Sequence, residues 1–208
     1  IPRVQAQAAT TPLAPAVEAL LLPLLTNDLP AERLLQIALD ARAALQRGGT
    51  AGASASLVNS LECRAQYRLA RIDAAVTACQ QALATATTDA EQFAAQRLQG
   101  TLLTEQAQFA EGATALLASL RAAERIADPR LIAAALSTLG SAAQFAGAYP
   151  EAIDYYQRGI ELVLAANLDS LQVLIRSNLG YLLLDTGDAE GARLQFEAAL
   201  EAARDVQD

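Results

Sequence analysis

STLGSAAQFAGAYPEAIDYYQRGIEL (137–162) lies over SNLGYLLLDTGDAEGARLQFEAALEA (177–202) without a gap. Leu139-Gly140 falls on Leu179-Gly180, Gly147 on Gly187, Ala152 on Ala192 and Tyr156 on Phe196, always 40 residues apart. A further step of 40 back reaches LQGTLLTEQAQFAEGATALLASL (98–120), with Gly100, Phe109, Gly112 and Leu116 at the matching places. A step of 37 then reaches LECRAQYRLARIDAAVTACQQAL (61–83), which puts Cys63, Ala70, Ala75 and Cys79 there. NDLPAERLLQIALDARAAL (27–45) matches only the second part of the unit. Periods of this size mean stacked supersecondary units.

Each unit reads as two helices joined by a tight turn. Gly147 and Gly187 follow about four turns of apolar periodicity, where a helix ends and positive φ is wanted. Pro150 suits the first turn of the next helix. Breaks between units stand at TTD (87–89), DPR (128–130) and NLD (167–169). Asp128, preceding Pro129, is pushed out of the helical region and ends the helix before it. The expected helices cover 16–25, 31–46, 54–69, 72–86, 91–107, 110–127, 131–146, 150–166, 170–186 and 188–205. They group into one repeat domain, 16–208, with units near 16–50, 54–88, 91–128, 131–168 and 170–208. Gly140 and Ala152 are expected to let the paired helices approach closely, with Tyr156 filling the gap towards the next unit.

Composition agrees with an all-α chain. Of 208 residues, 49 are Ala and 35 Leu, the strongest apolar helix formers, whereas aromatics are only 4%. There is no His and no Lys, and all 15 cations are Arg. Without His, the usual general base, neutral metal ligand and Ser-His or Cys-His pairs are missing. Asp185 with Asp188 and Glu197 with Glu201 fall at turns or on outer helix faces, with no nucleophile or cofactor site beside them. GGTAG (48–52) lacks the Gly-Lys-Ser/Thr ending of a phosphate loop and reads as an interhelix loop. The expectation is a non-catalytic protein with no cofactor and no metal. A net charge of −8 argues against nucleic acid and anionic membranes as partners.

Ala19–Leu25, interrupted by Pro23, is far too short to span a bilayer. The opening IPRVQAQAATTPLAP (1–15) is low in complexity, and its V-Q-A and A-Q-A resemble the small-residue end of a secretory signal. That reading places the protein in the periplasm or outside the cell; a plain linker in a cytoplasmic protein is the alternative. Cys63 and Cys79 occupy the slots of Gly180 and Phe196 and are expected to be buried, inert thiols on adjacent helices, a bond between them being geometrically conceivable.

L-G … G … A-x3-Y/F resembles the tetratricopeptide repeat (TPR) pattern across residues 54–205, most clearly in the last two units. The aromatic usually placed before L-G is replaced by Leu136 and Arg176, and the period is 40 rather than 34. The longer unit resembles arrays in bacterial signalling proteins such as diguanylate cyclases and histidine kinases. The resemblance implies a right-handed superhelix that binds proteins or peptides, the first helix of each unit lining the groove. Carried onto this sequence, the groove takes Arg64, Tyr67 and Arg68, then Arg97, Thr101, Thr104 and Glu105. Later units add Ser137, Ser141, Gln144 and Phe145, then Asn178, Tyr181 and Asp185. Asn178, just before Leu179-Gly180, is where such proteins place an amide that grips a peptide backbone. The Lys and Asn clamp of chaperone-tail-binding relatives is not reproduced. Arg64, Arg68 and Arg97 are expected to favour an acidic peptide by paired hydrogen bonds. The bland alternative pairs them with Glu62, Asp73 or Glu105. The functional expectation is the sensory or interaction segment of a larger signalling protein, against a stand-alone adaptor or a self-association module. Apolar Leu194, Ala198 and Ala202 on the last helix call for a cover, either a downstream segment or a second copy in a homodimer.

Overall fold

The computed structural model describes residues 20–25, 29–47 and 55–205. A 3₁₀ turn, Leu22–Leu25, precedes α1 (Ala31–Arg47), α2 (Ala55–Arg68), α3 (Ile72–Thr85), α4 (Asp89–Glu105) and α5 (Phe109–Ile126). Then come α6 (Pro129–Phe145), α7 (Tyr149–Ala165), α8 (Asp169–Asp185) and α9 (Ala189–Asp205). The nine match the expected segments to within two residues at each end. The expected 16–25 helix is α-helical at Leu20 and Leu21 and tightens to a 3₁₀ turn from Leu22, where Pro23 interrupts the chain. Segment 1–15, residues 16–19 and the GGTAG loop lie outside the described residues. The fold class is all-α, built of antiparallel helix pairs.

The punctuation works as the turn chemistry requires. Gly147 (φ +76°) and Gly187 (φ +86°) end the first helix of their pairs in the left-handed region. The next amide closes each turn: Ala148 N–H donates to Ala143 O and Asp188 N–H to Leu183 O. Ala70 and Ala107 hold the same position at φ +56° and +58°, without glycine's freedom. Asp128 is extended, its carboxylate accepts the Arg130 N–H, and Pro129 opens α6. At the start of α4, Thr88 and Glu91 form a reciprocal capping box.

The chain divides into two compact units, up to Thr87 and from Thr88. In the first, α2 packs on α1 and α3. Arg42 of α1 forms an ion pair with Glu62 and donates to Asn59 Oδ1, both on α2. Cys63 and Cys79 are fully buried and joined as a disulfide, with Cα atoms 5.2 Å apart. Burial was expected; inert free thiols were not what forms. The expected unit gives the two residues facing slots at the close approach of α2 and α3, which is the geometry a bridge needs.

In the second unit, α4 packs on α5, α6 on α7 and α8 on α9, and each pair packs on the next. A Cβ on Gly140 would stand 2.6 Å from the Tyr156 ring, and one on Gly180 2.6 Å from the Phe196 ring. Gly100 meets Leu116 at the same distance. The large residue therefore covers the glycine of its own pair. Tyr156 also joins Ile160 and Val163 of α7 and Ile175, Leu179 and Leu182 of α8 in one core, so it faces the next pair as well. Buried hydroxyls tie the other ends of two pairs: Ser56 donates to Ala82 O and Ser119 to Phe93 O, both at 2.8 Å. Leu136 is buried where the usual aromatic is missing, and Arg176 donates to Gln195 across α8–α9.

Candidate functional site

Helices α4, α6 and α8, the first of each pair in the second unit, lie side by side as an inner layer. Six expected groove residues meet there. Gln144 of α6 with Asn178 and Tyr181 of α8 line one cleft of about 430 Å³, together with Ser141, Phe145 and Asp185. Tyr149 and Tyr156 of α7 complete the lining.

The cleft has a hydrogen-bonded polar floor. Gln144 Nε2 donates to Asp185 Oδ2 at 3.0 Å, joining α6 to α8. The Tyr156 hydroxyl donates to Gln144 Oε1 at 3.4 Å and lies 3.0 Å from Ser141 Oγ. With a carboxylate on one side and a phenol on the other, the amide's orientation is fixed by its partners. Burial holds the Tyr156 hydroxyl above its ordinary pKa of 10.0, against a smaller opposite pull from Ser141, so it stays a neutral donor. Asn178 Nδ2 donates to Ser137 Oγ at 3.4 Å, a long bond that leaves the amide oxygen's acceptor capacity in hand.

The walls are aromatic. Phe145 is 71% exposed, Tyr181 60% and Tyr149 41%. Tyr181 is held edge-on to Phe196 with ring centroids 5.2 Å apart. Tyr149 was not among the expected groove residues, because it opens the second helix of its pair rather than lying on the first. Its signal was there to use: an aromatic beside Pro150 at an exposed helix start.

The remaining expected residues are placed differently. Arg64, Tyr67 and Arg68 belong to the first unit, whereas Arg97 and Thr101 belong to the second. Arg64 donates to Leu24 O at 2.7 Å and Arg68 to Leu29 O at 2.6 Å. These guanidiniums hold the chain that leads into α1, where carbonyls at helix ends lack helical donors. They clamp this chain's own backbone, a role that the sequence reading did not assign to them. Tyr67 is half-buried on α2. Arg97 is half-buried with its guanidinium 5.5 Å from the centre of the Phe93 ring one turn earlier. Thr101 donates to Arg97 O at 3.0 Å. Thr104 and Ser137, expected in the groove, are buried; Thr104 donates to Gly100 O and lies against Gly112.

Among the described residues no group of three or more His, Cys, Asp or Glu is placed to hold a metal ion. No described helix is long and apolar enough to cross a membrane. No family model and no curated protein matches the sequence. Solved structures do match its fold. BtubC (BKLC) from P. vanneervenii superposes with a TM-score of 0.65 at 15% identity, over 86% of this chain and 75% of that one. MamA from Desulfovibrio magneticus RS-1, residues 41 to the end, gives 0.55 at 19% identity over 83% and 96%. The ArsTM double mutant of MamA RS-1 gives 0.54 at 20% identity over 84% and 97%. The chain has a TPR-like helical-repeat fold. At these identities the likeness speaks of fold alone.

Proposed function

We propose that this chain is a non-catalytic protein- or peptide-binding repeat module whose ligand docks in the α6–α8 cleft. The observation that carries this reading is the cleft itself. Exposed rings stand over an ordered polar floor, on the helices that line the groove in the repeat family. Asn178 presents an amide able to receive a peptide N–H, and Tyr181 offers contact area at low entropic cost.

In its wider setting, the module serves as the sensory or interaction segment of a larger signalling protein of the diguanylate cyclase or histidine kinase type. A stand-alone adaptor is the alternative. An exported, periplasmic location is supported by the buried Cys63–Cys79 bond, since disulfides persist in oxidising compartments. Self-association through α9 is a second reading, favoured by an apolar cleft of about 430 Å³ lined by Leu184, Phe196 and Leu200.

Peptides selected from a random library on the full chain test the docking site. They should bind Asn178→Ala/Tyr181→Ala at least about tenfold more weakly, the loss expected when a central aromatic anchor and its polar neighbour are truncated. Unchanged affinity, with the helical signal intact by circular dichroism, would move the site off this cleft.

A further inference from the structure

We propose that the α6–α8 cleft takes a cationic side chain, the lysine or arginine of a partner peptide, between its aromatic walls and the Asp185 carboxylate. The proposal rests on the reading of this cleft as the peptide site and adds the chemistry of what enters it. Three observations point the same way.

The first is charge. Among the described residues lining the cleft, Asp185 alone carries one, and it is negative. The Gln144 amide grips one of its oxygens at 3.0 Å. A carboxylate accepts about four hydrogen bonds, so an ammonium or guanidinium can share the group that Gln144 orients. The chain's net charge of −8 favours cations over anions as its ligands.

The second is the concentration of rings. The chain has five Tyr and four Phe in all, and four of these nine line this one cleft. Phe145, Tyr149 and Tyr181 offer exposed faces. Aromatic faces attract cations, more strongly where water is partly excluded.

The third is the pairing of apolar and charged surfaces in one cleft. Lysine and arginine bury an apolar stem and carry their charge at the tip. Exposed rings beside a carboxylate offer a surface for the stem and a partner for the tip. An acidic side chain would meet Asp185 and the overall field, and a purely apolar one would cover the polar floor without replacing its contacts with water.

The test selects random heptapeptides displayed on phage against three forms of the full chain: wild type, Asp185→Asn and Asn178→Ala/Tyr181→Ala. The wild-type pool should be enriched in Lys or Arg at one position, and the Asp185→Asn pool should not be. Replacing that residue by Met in a recovered peptide should weaken wild-type binding about tenfold and binding to Asp185→Asn less than about twofold. A wild-type pool without that enrichment, one enriched in Asp or Glu, or enrichment that persists on Asp185→Asn overturns the cationic assignment and leaves the cleft as a peptide site. Peptides that bind Asn178→Ala/Tyr181→Ala unchanged, or the recovery of none, overturn the site itself.

Discussion

At Gly140 a single methyl group decides whether a helix pair closes. Its Cβ would meet the Tyr156 ring at 2.6 Å, and that ring is itself packed into the core shared with the next pair. Gly147 is the opposite case: a Cβ there would touch nothing within 4 Å, but the backbone sits at φ +76°. Two glycines in one unit are therefore required for unrelated reasons, contact at one and backbone angle at the other. Gly140→Leu should cost about 1–3 kcal/mol or more through overpacking. Gly147→Ala should cost about 1–2 kcal/mol through the left-handed angle alone. Gln157→Leu, on the exposed face of α7, should stay within about 0.5 kcal/mol of wild type. Thermal melts followed at 222 nm rank the three, and a Gly140→Leu protein as stable as Gln157→Leu would show that the repeat register is misassigned. This level was legible in the sequence because Gly140 and Tyr156 recur as Gly180 and Phe196. The arginines were not. A guanidinium's partner can be a backbone carbonyl some 40 residues away, as Arg64 and Leu24 show, and no local spacing encodes it.

The helix pair is one structural idea executed with two chemistries. Later pairs close by setting a bulky side chain over a glycine, as Leu116 does over Gly100. The α2–α3 pair closes at the same repeat position with the Cys63–Cys79 bond. Sequence alignment placed both cysteines in the right slots but left bonded and free thiols open, since either fits a small buried site. With a sequence separation of 16, the bridge should contribute about 3 kcal/mol by restricting the unfolded chain. Cys63→Ala/Cys79→Ala should lose about that much, and reductant should destabilise wild type but leave the variant's melting temperature unchanged. If the two chemistries are interchangeable, Cys63→Gly/Cys79→Leu should recover about 1 kcal/mol over the alanine pair. Leucine burial returns about 2 kcal/mol, and a glycine inside α2 costs about 1. A glycine–leucine pair less stable than the alanine pair would break the equivalence. The elements themselves were legible through their punctuation. The Thr88–Glu91 capping box was readable too, as a threonine followed three residues later by glutamate, although the repeat alone had already marked that break.

Across the whole chain, the regularity that made the repeats visible also marks the division of the molecule. From Gly100 onward the step is 40 residues, and the single 37-residue step, from Cys63 to Gly100, spans the boundary at residues 87 and 88. The same register explains the surface of α9. Phe196 and Leu200 stand 40 residues after Tyr156 and Ile160, which α8 covers in the preceding pair. Of the apolar stripe expected at Leu194, Ala198 and Ala202, Leu194 is exposed, Ala198 half-buried and Ala202 buried. A further open apolar face forms where Leu200, 56% exposed, shares a cleft with Leu184. A second copy suits this face because its rim carries both Arg193 and Glu197, so a twofold arrangement would set opposite charges against each other. These two groups are already paired within one chain and exposed, so the exchange adds little energy, and burial of leucine must drive association. Opposing it is a net charge of −8 on each copy. The two terms respond to salt differently: at 0.5 M salt the Debye length falls to about 4 Å and the repulsion fades, whereas apolar burial is undiminished. Sedimentation equilibrium should therefore find the chain mostly monomeric at low ionic strength and increasingly dimeric as salt rises, with Leu200→Glu monomeric throughout. A wild-type dimer that salt weakens, or one that Leu200→Glu leaves intact, would place the self-contact on another surface and return α9 to a purely structural role.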